Sequence, residues 1–221
     1  MANKKKNKKF GMHPKLLMDV IRRQAGTLGK AILEGVMNSV DAGATYCDIA
    51  VASDVVIIED DGGGFPDEET VDKHFNTFGQ PHEESENKIY ANFRMGRGQM
   101  FAFGHNIWES GEFEFDVDIK NRGSEWTFSD GMETDAEGCR ITIHLYNELR
   151  PSELAQLVRD LQRLVKWVNI PVTLNDEHIS QDPAEAEWDY ESDNCYMKLK
   201  TTGELHVYNL GVHVRSYGGF L

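Results

Sequence analysis

Apolar residues recur at helical spacing through the first part of the chain. Leu16, Leu17, Val20 and Ile21 follow Pro14, and Ile32, Leu33, Val36, Met37 and Val40 lie between Leu28 and Val40. This spacing turns one stripe toward a core, so two amphipathic helices are expected, the second closed by Gly43. The period then changes. Cys47–Ala52 reads as a strand, and the continuous run Val55-Val56-Ile57-Ile58 reads as a strand buried on both faces. Asp60-Asp61-Gly62-Gly63-Gly64-Phe65-Pro66 fits no regular element and is expected to turn. Asp67 is placed to cap a short helix through Phe75.

From Asn76 to Gln99 the sequence is polar and glycine-punctuated, with Glu83, Glu84 and Glu86 clustered. A segment this long without periodicity is usually functional, such as a lid, or disordered. A short helix is expected from Gly98. Phe113–Lys120, Glu125–Phe128 and Cys139–Leu145 read as antiparallel strands. Ser152–Val168, after Pro151, reads as an amphipathic helix with Leu154, Leu157, Val158, Leu161, Leu164 and Val165 on its stripe. Val172–Leu174, Tyr196–Lys200, Leu205–Tyr208 and Val212–Arg215 are further expected strands. Helices and antiparallel strands in blocks give an α+β two-layer sandwich, a mixed but mostly antiparallel sheet with helices on one face.

Charge adds a partner constraint. The 221 residues carry 37 acidic and 23 basic side chains, a formal charge of −14. Lys4, Lys5, Lys6, Lys8 and Lys9 crowd the start, so the body is more acidic still. Such a body repels nucleic-acid phosphate, and no direct DNA binding is expected from it. The lysines of residues 1–13 read as a basic flexible tail. No apolar region of signal-peptide type follows them, and no window reaches the ~18 apolar residues of a membrane span. Cys47, Cys139 and Cys195 lie far apart, which suits a reducing, cytoplasmic setting. Trp108, Trp126, Trp167 and Trp188 read as packing residues, and the eight histidines show no metal-ligand spacing.

Three segments carry chemistry. Glu34, Asn38 and Asp41 stand at i, i+4 and i+7, on one helical face. A solvated stripe would account for the two carboxylates but not for Asn, a poor helix former. The alternative is a hydrolytic site, with the Asn38 carbonyl holding Mg²⁺ and Glu34 accepting a proton from water. Asp60, ahead of Gly62 and Gly64, offers a carboxylate to an exocyclic amine while the glycines let a flat ring approach the backbone. Taken alone, such a segment is most often merely a turn. Gly96, Arg97, Gly98, Gln99 and Met100 lead glycines into an apolar helix start, which is either an anion site or a hinge before a core helix.

In this order the three segments resemble the GHKL ATPases: type II topoisomerases, the ninety-kilodalton heat-shock chaperone, MutL mismatch-repair proteins and, more distantly, histidine kinases. Glu34–Ala42 matches the N-box E-x-x-x-N-x-x-D-A, and Asn38–Thr45 is particularly similar to MutL. Asp60-x-Gly62-x-Gly64 matches the first glycine box, and Gly96–Ala102 is similar to the second. Gly138–Leu145 stands where the family writes Gly-Thr-x-Ile-x-Leu, and the helix before Ile170-Pro171-Val172 is similar to the closing segment. The likeness covers roughly residues 14–175 and implies a Bergerat fold with an ATP lid. Residues 176–221 then form a β-rich extension, possible start of a transducer-type domain.

The resemblance implies ATP and Mg²⁺ as ligands. Glu34 would be the general base and Asn38 the Mg²⁺ ligand. Asp60 would read the adenine amine, with Gly62 and Gly64 lining its pocket and Asp41 supporting it. Gly96, Arg97, Gly98, Gln99 and Met100 would hold phosphate under the lid. Thr77, Phe78 and Gly79 fall where relatives place lid residues. Two departures stand out. Cys139 replaces the usual Thr near the adenine, and a thiol is a poor donor. The catalytic lysine that topoisomerases and MutL bring from a second domain has only positional candidates, Lys198 and Lys200.

The leading expectation is Mg-dependent ATP binding and slow hydrolysis, with lid closure driving homodimerisation or partner clamping. A non-catalytic ATP-operated switch is the alternative, and a histidine-kinase-type catalytic domain ranks below both. The ending Gly218-Gly219-Phe220-Leu221, without a polar tail, is expected to mark either part of a larger parent protein or a minimal ATPase module.

Overall fold

The computed structural model describes residues 14–74, 96–132, 134, 136–193, 195–199 and 203–218. The basic tail, Thr77, Phe78, Gly79, His82, Glu83, Glu84, Glu86 and Lys200 lie outside the described residues, as does the expected lid except for its last four positions.

Helix α1 (Pro14–Gln24) and helix α2 (Leu28–Asp41) follow the two apolar stripes. Thr27 caps α2, its hydroxyl accepting the Lys30 N–H at 3.3 Å. Strands β1 (Cys47–Val51) and β2 (Val55–Asp60) pair antiparallel, and β2 feeds through the glycine turn into α3 (Glu68–His74). Asp67 caps α3 by accepting the Thr70 N–H at 2.7 Å. Helix α4 (Gly96–Phe101) begins two residues earlier than the expected Gly98.

Next come β3 (Gly104–Ser110), β4 (Phe113–Val117), α5 (Ile119–Arg122), β5 (Trp126–Ser129), β6 (Cys139–Leu145) and α6 (Pro151–Leu164). The strand expected over Phe113–Lys120 stops at Val117. Asp118 accepts the Asn121 N–H and caps α5 instead. Strands β7 (Val172–Leu174) and β8 (Glu177–His178) close the main sheet.

The sheet order is β5-β4-β3-β6-β2-β1-β7-β8, antiparallel throughout except where β1 meets β7. The fold is therefore the expected α+β layer arrangement with a mixed, mostly antiparallel sheet. Val56, Ile58, Ile141, Ile143 and Phe115 point into a core shared with Ile32, Val36 and Leu161 from α2 and α6. The apolar run of β2 is not buried on both sides. Val56 and Ile58 are buried, whereas Val55 and Ile57 are half-buried on the open face. The β-branched run therefore packs fully on one side only.

Two small antiparallel hairpins follow, β9 (Tyr190–Ser192) with β10 (Cys195–Met197) and β11 (Leu205–Asn209) with β12 (Val212–Tyr217). Trp188 bridges Trp167 and Tyr196, with ring centroids 4.8 and 5.4 Å apart, which ties the first hairpin to the chain after α6. Trp108 lies in the core, as expected of a packing residue.

Candidate functional site

The strand register gathers the chemistry at one end of the sheet. Cys47, Asp60 and Cys139 stand side by side on β1, β2 and β6. The end of α2 lies over this edge, and the Gly63 N–H donates to the Ala42 carbonyl at 2.9 Å.

Asp60 is 5% exposed. Its Oδ2 accepts the Ser39 hydroxyl at 2.7 Å and its Oδ1 the Gly62 N–H at 2.9 Å. The Cys139 backbone N–H supplies a third donor. Burial nevertheless outweighs these donors and raises the Asp60 pKa above the ordinary aspartate value. A carboxylate has about four acceptor positions, so one remains for an incoming donor. The flanking thiols stay neutral at physiological pH, since burial pushes Cys47 up to about 12 and raises Cys139 as well.

Asp61 faces the other way. It accepts the Thr45 N–H at 2.7 Å, the Tyr46 N–H at 3.1 Å and the Thr45 hydroxyl, and these bonds hold its pKa below the usual aspartate range. The turn is thus stitched to the α2–β1 connection. On its opposite side stands Ser110, at the end of β3 and 1% exposed. Its hydroxyl donates to the Gly138 carbonyl at 2.7 Å and accepts the Phe65 N–H at 2.9 Å. Gly64 has φ +56°, and a Cβ there would stand 2.7 Å from the Gly138 carbonyl. A Cβ on Gly138 would stand 2.6 Å from the Asp60 carbonyl. Both positions exclude side chains because backbone, which cannot swing away, fills the space.

On α2, Glu34, Asn38 and Asp41 are all half-buried along one face, as their spacing predicts. Among the described residues no hydrogen bond engages the Glu34 or Asn38 side chains. Burial raises the Glu34 pKa above the ordinary glutamate value. Helix α4 packs against α2. Within it Gly98 is buried, Gln99 half-buried and Met100 fully buried in the core, so Met100 can offer a ligand only its backbone. Gly96 and Arg97 form its first turn. Lys198 is exposed and donates to the Glu187 carbonyl at 3.1 Å.

The donor set suits a magnesium ion carried in by phosphate. Among the described residues no three carboxylate, imidazole or thiol groups gather as a metal cage. Asn38, one helical turn from Glu34, could offer a hard carbonyl oxygen to such an ion, with the remaining positions left to phosphate and water, as Mg²⁺ prefers. Ser39, Asp61, Ser110 and Gly138 were not singled out as site residues from the sequence. Ser39, Asp61 and Gly138 lie inside segments that the motifs mark, whereas nothing in the sequence marks Ser110.

Residues 26–110 match the family model described as histidine kinase-, DNA gyrase B-, and HSP90-like ATPase. A comparison with curated proteins finds no match. Among the described residues no helix is long and apolar enough to cross a membrane.

Proposed function

From the premise that this chain carries a GHKL ATPase domain, a fold that binds ATP, we propose that it takes up Mg-ATP at this sheet end and hydrolyses it slowly. The observation that carries the reading is the Asp60 carboxylate, buried, acceptor-only and one donor short of saturation. An exocyclic amine satisfies it, whereas an oxo group at the same ring position would set acceptor against acceptor. Gly62 and Gly64 bring backbone against the ring, and Asp41 supports the pocket from α2. Phosphate lies toward α4, where Gly96, Arg97, Gly98, Gln99 and Met100 offer backbone N–H groups.

Asn38 would hold the magnesium ion. When bound, that ion neutralises charge on the phosphate oxygens. Glu34 takes the proton of the water that attacks the γ-phosphate, and its raised pKa brings it closer to the solution pH at which it works. Without a lysine from a second domain the developing charge is less stabilised, and turnover is slow. Closure of the lid expected over residues 76–99, then homodimerisation or clamping of a partner, complete the proposal.

Isothermal titration with Mg-ATP tests it. Asp60→Asn, which exchanges an acceptor for a donor, should bind at least ~10-fold more weakly than the unmutated chain. Glu34→Ala should keep ATP and lose phosphate release. Equal affinity with and without Asp60 would sink the base assignment.

A second reading, an ATP-operated switch whose output is partner contact, is supported by exposed apolar residues on the two small hairpins: Tyr190, Tyr196, Met197, Leu205, Val207 and Val214. Phosphate release separates the two, because a switch binds Mg-ATP without turning it over; a mass that stays constant in light scattering with a non-hydrolysable ATP analogue removes the switch.

A further inference from the structure

The base-recognition turn is anchored from two sides, and the sides differ in kind. Toward α2 it holds by Asp61 on Thr45 and Tyr46 and by the Gly63 N–H on Ala42. Toward β3 and β6 it has one buried hydroxyl, that of Ser110, and the ring of Phe65 set edge-on against Phe115 at 5.1 Å. Behind the turn on this second side opens a cleft of about 440 Å³, lined by Gly63, Phe65, Pro66, Ser110, Phe113 and Glu137 among others. Among the described residues, this side of the turn is held by the Ser110 hydroxyl and the Phe65 ring, with the cleft beside them.

We propose that Ser110 is the positioning residue that fixes the height of the Gly62–Phe65 backbone over the base pocket. The inference rests on the ATP reading given above. Ser110 joins three separate pieces of chain with one oxygen. It donates to Gly138, directly before β6, and accepts from Phe65, directly after Gly64. Gly138 and Gly64 are the two places where the turn and β6 come too close for any side chain. Their spacing is therefore set by the oxygen between them. That spacing also places the Gly62 N–H on Asp60 and the Cys139 N–H on the same carboxylate. Both Ser110 hydrogen bonds go to backbone groups and neither to Asp60, so it acts through backbone.

If the hydroxyl is removed, the Phe65 N–H and one lone pair of the Gly138 carbonyl lose their partner, and the cleft gives the turn room to move. The side of Asp60 that reads the base then loses its fixed geometry, whereas Glu34 and Asn38 on α2 keep theirs. The effect should thus appear in affinity for ATP and in base selectivity rather than in the hydrolytic step.

The test compares the unmutated chain with Ser110→Ala and with Ser110→Cys, which keeps nearly the same volume but hydrogen-bonds weakly. Amide hydrogen exchange without nucleotide should be faster at Gly62–Phe65 in both variants and unchanged in α2. Titration with Mg-ATP should show Kd raised roughly tenfold or more, in line with the loss of a buried hydrogen-bonding group, and the preference for ATP over GTP should shrink. A merely structural serine would lower the melting temperature and leave both readouts in place. If Ser110→Ala does not fold, Ser110→Cys decides. Unmutated protein that fails to bind Mg-ATP overturns the nucleotide reading and this inference with it. Unmutated protein that binds, with folded variants inside twofold of it, overturns the inference alone.

Discussion

Ser39 lies in the apolar stripe of α2, 2% exposed, with its hydroxyl 2.7 Å from Asp60 Oδ2. Ser39→Ala removes a hydrogen bond to a buried, charged acceptor, an interaction worth about 1.5–3 kcal/mol. Against this stands the better helix propensity of alanine, roughly 0.5 kcal/mol. The Gly35 carbonyl, 3.2 Å from the same hydroxyl, only competes for its single proton and is part of the helix, so nothing further is lost there. The net cost is then about 1–2.5 kcal/mol near pH 7, equivalent to a fall of roughly 2–10 °C in Tm for a chain of this size.

The pH dependence makes the prediction specific. The Ser39 hydroxyl lowers the Asp60 pKa, opposing the rise from burial. It stabilises the ionised form, so its contribution is present above the folded-state pKa of Asp60 and is lost as pH falls through it. Urea denaturation of wild type and Ser39→Ala at several pH values should show a gap that is full at neutral pH and narrows in acid. ATP binding by the variant should also fail at a higher pH than in the wild type. A gap below ~0.5 kcal/mol at pH 7, or one that stays constant into acid, would refute the reasoning.

Three further substitutions have defined outcomes. Burial raises the Glu34 pKa, so the folded state holds that proton more readily than the unfolded chain and the ionised carboxylate is a cost at neutral pH. Glu34→Gln should therefore abolish phosphate release while raising stability by on the order of 1 kcal/mol or less, and the acid limb of the wild-type rate profile should lie above the ordinary glutamate value of 4.5. A limb at or below that value, measured by phosphate release, removes Glu34 as the base. Gly64→Ala, at φ +56° and against the Gly138 carbonyl, should cost more than ~2 kcal/mol and abolish ATP uptake. Gly43→Ala, at φ +75° but with open space around it, should cost only ~1 kcal/mol and leave ATP uptake intact, both read by denaturation and titration.

Much of this site was legible because its chemistry breaks local rules. An asparagine and two carboxylates on the half-buried face of an apolar helix, and a carboxylate that ends a β-branched strand before three glycines, both stand out in the sequence. Strand β3 did not. Its buried positions are Gly104, Asn106, Trp108 and Ser110, so period-2 alternation is present in burial but absent in hydropathy. Asn106 is fully buried with its amide donating to the Gly104 carbonyl at 2.7 Å and its Oδ1 without a partner among the described residues, and such a local bond leaves no mark in a hydrophobic pattern. The same holds for Ser39 and Ser110, whose roles depend on partners 21 and 28 residues away. The β2 run suggested two covered faces because β-branched residues suit a pleated surface even where one face is open.

The order of strands bears on how the chain is made. Strand β6 sits between β3 and β2, yet it is translated last of the three. Until residue 145 has emerged, β2 and β3 have no common neighbour, and Asp60 has neither Gly138 nor Cys139 beside it. Until then the segments around Asn38 and Asp60 should bind no nucleotide, although all of their side chains already exist. Non-local pairing of this kind is slow to form, and the growing chain exposes two unpaired β edges while it waits. Nucleotide uptake would thus report that β6 has paired between β2 and β3: a ribosome-bound chain that stops short of β6 should ignore ATP, and one that includes it should be drawn to the folded state by the ligand.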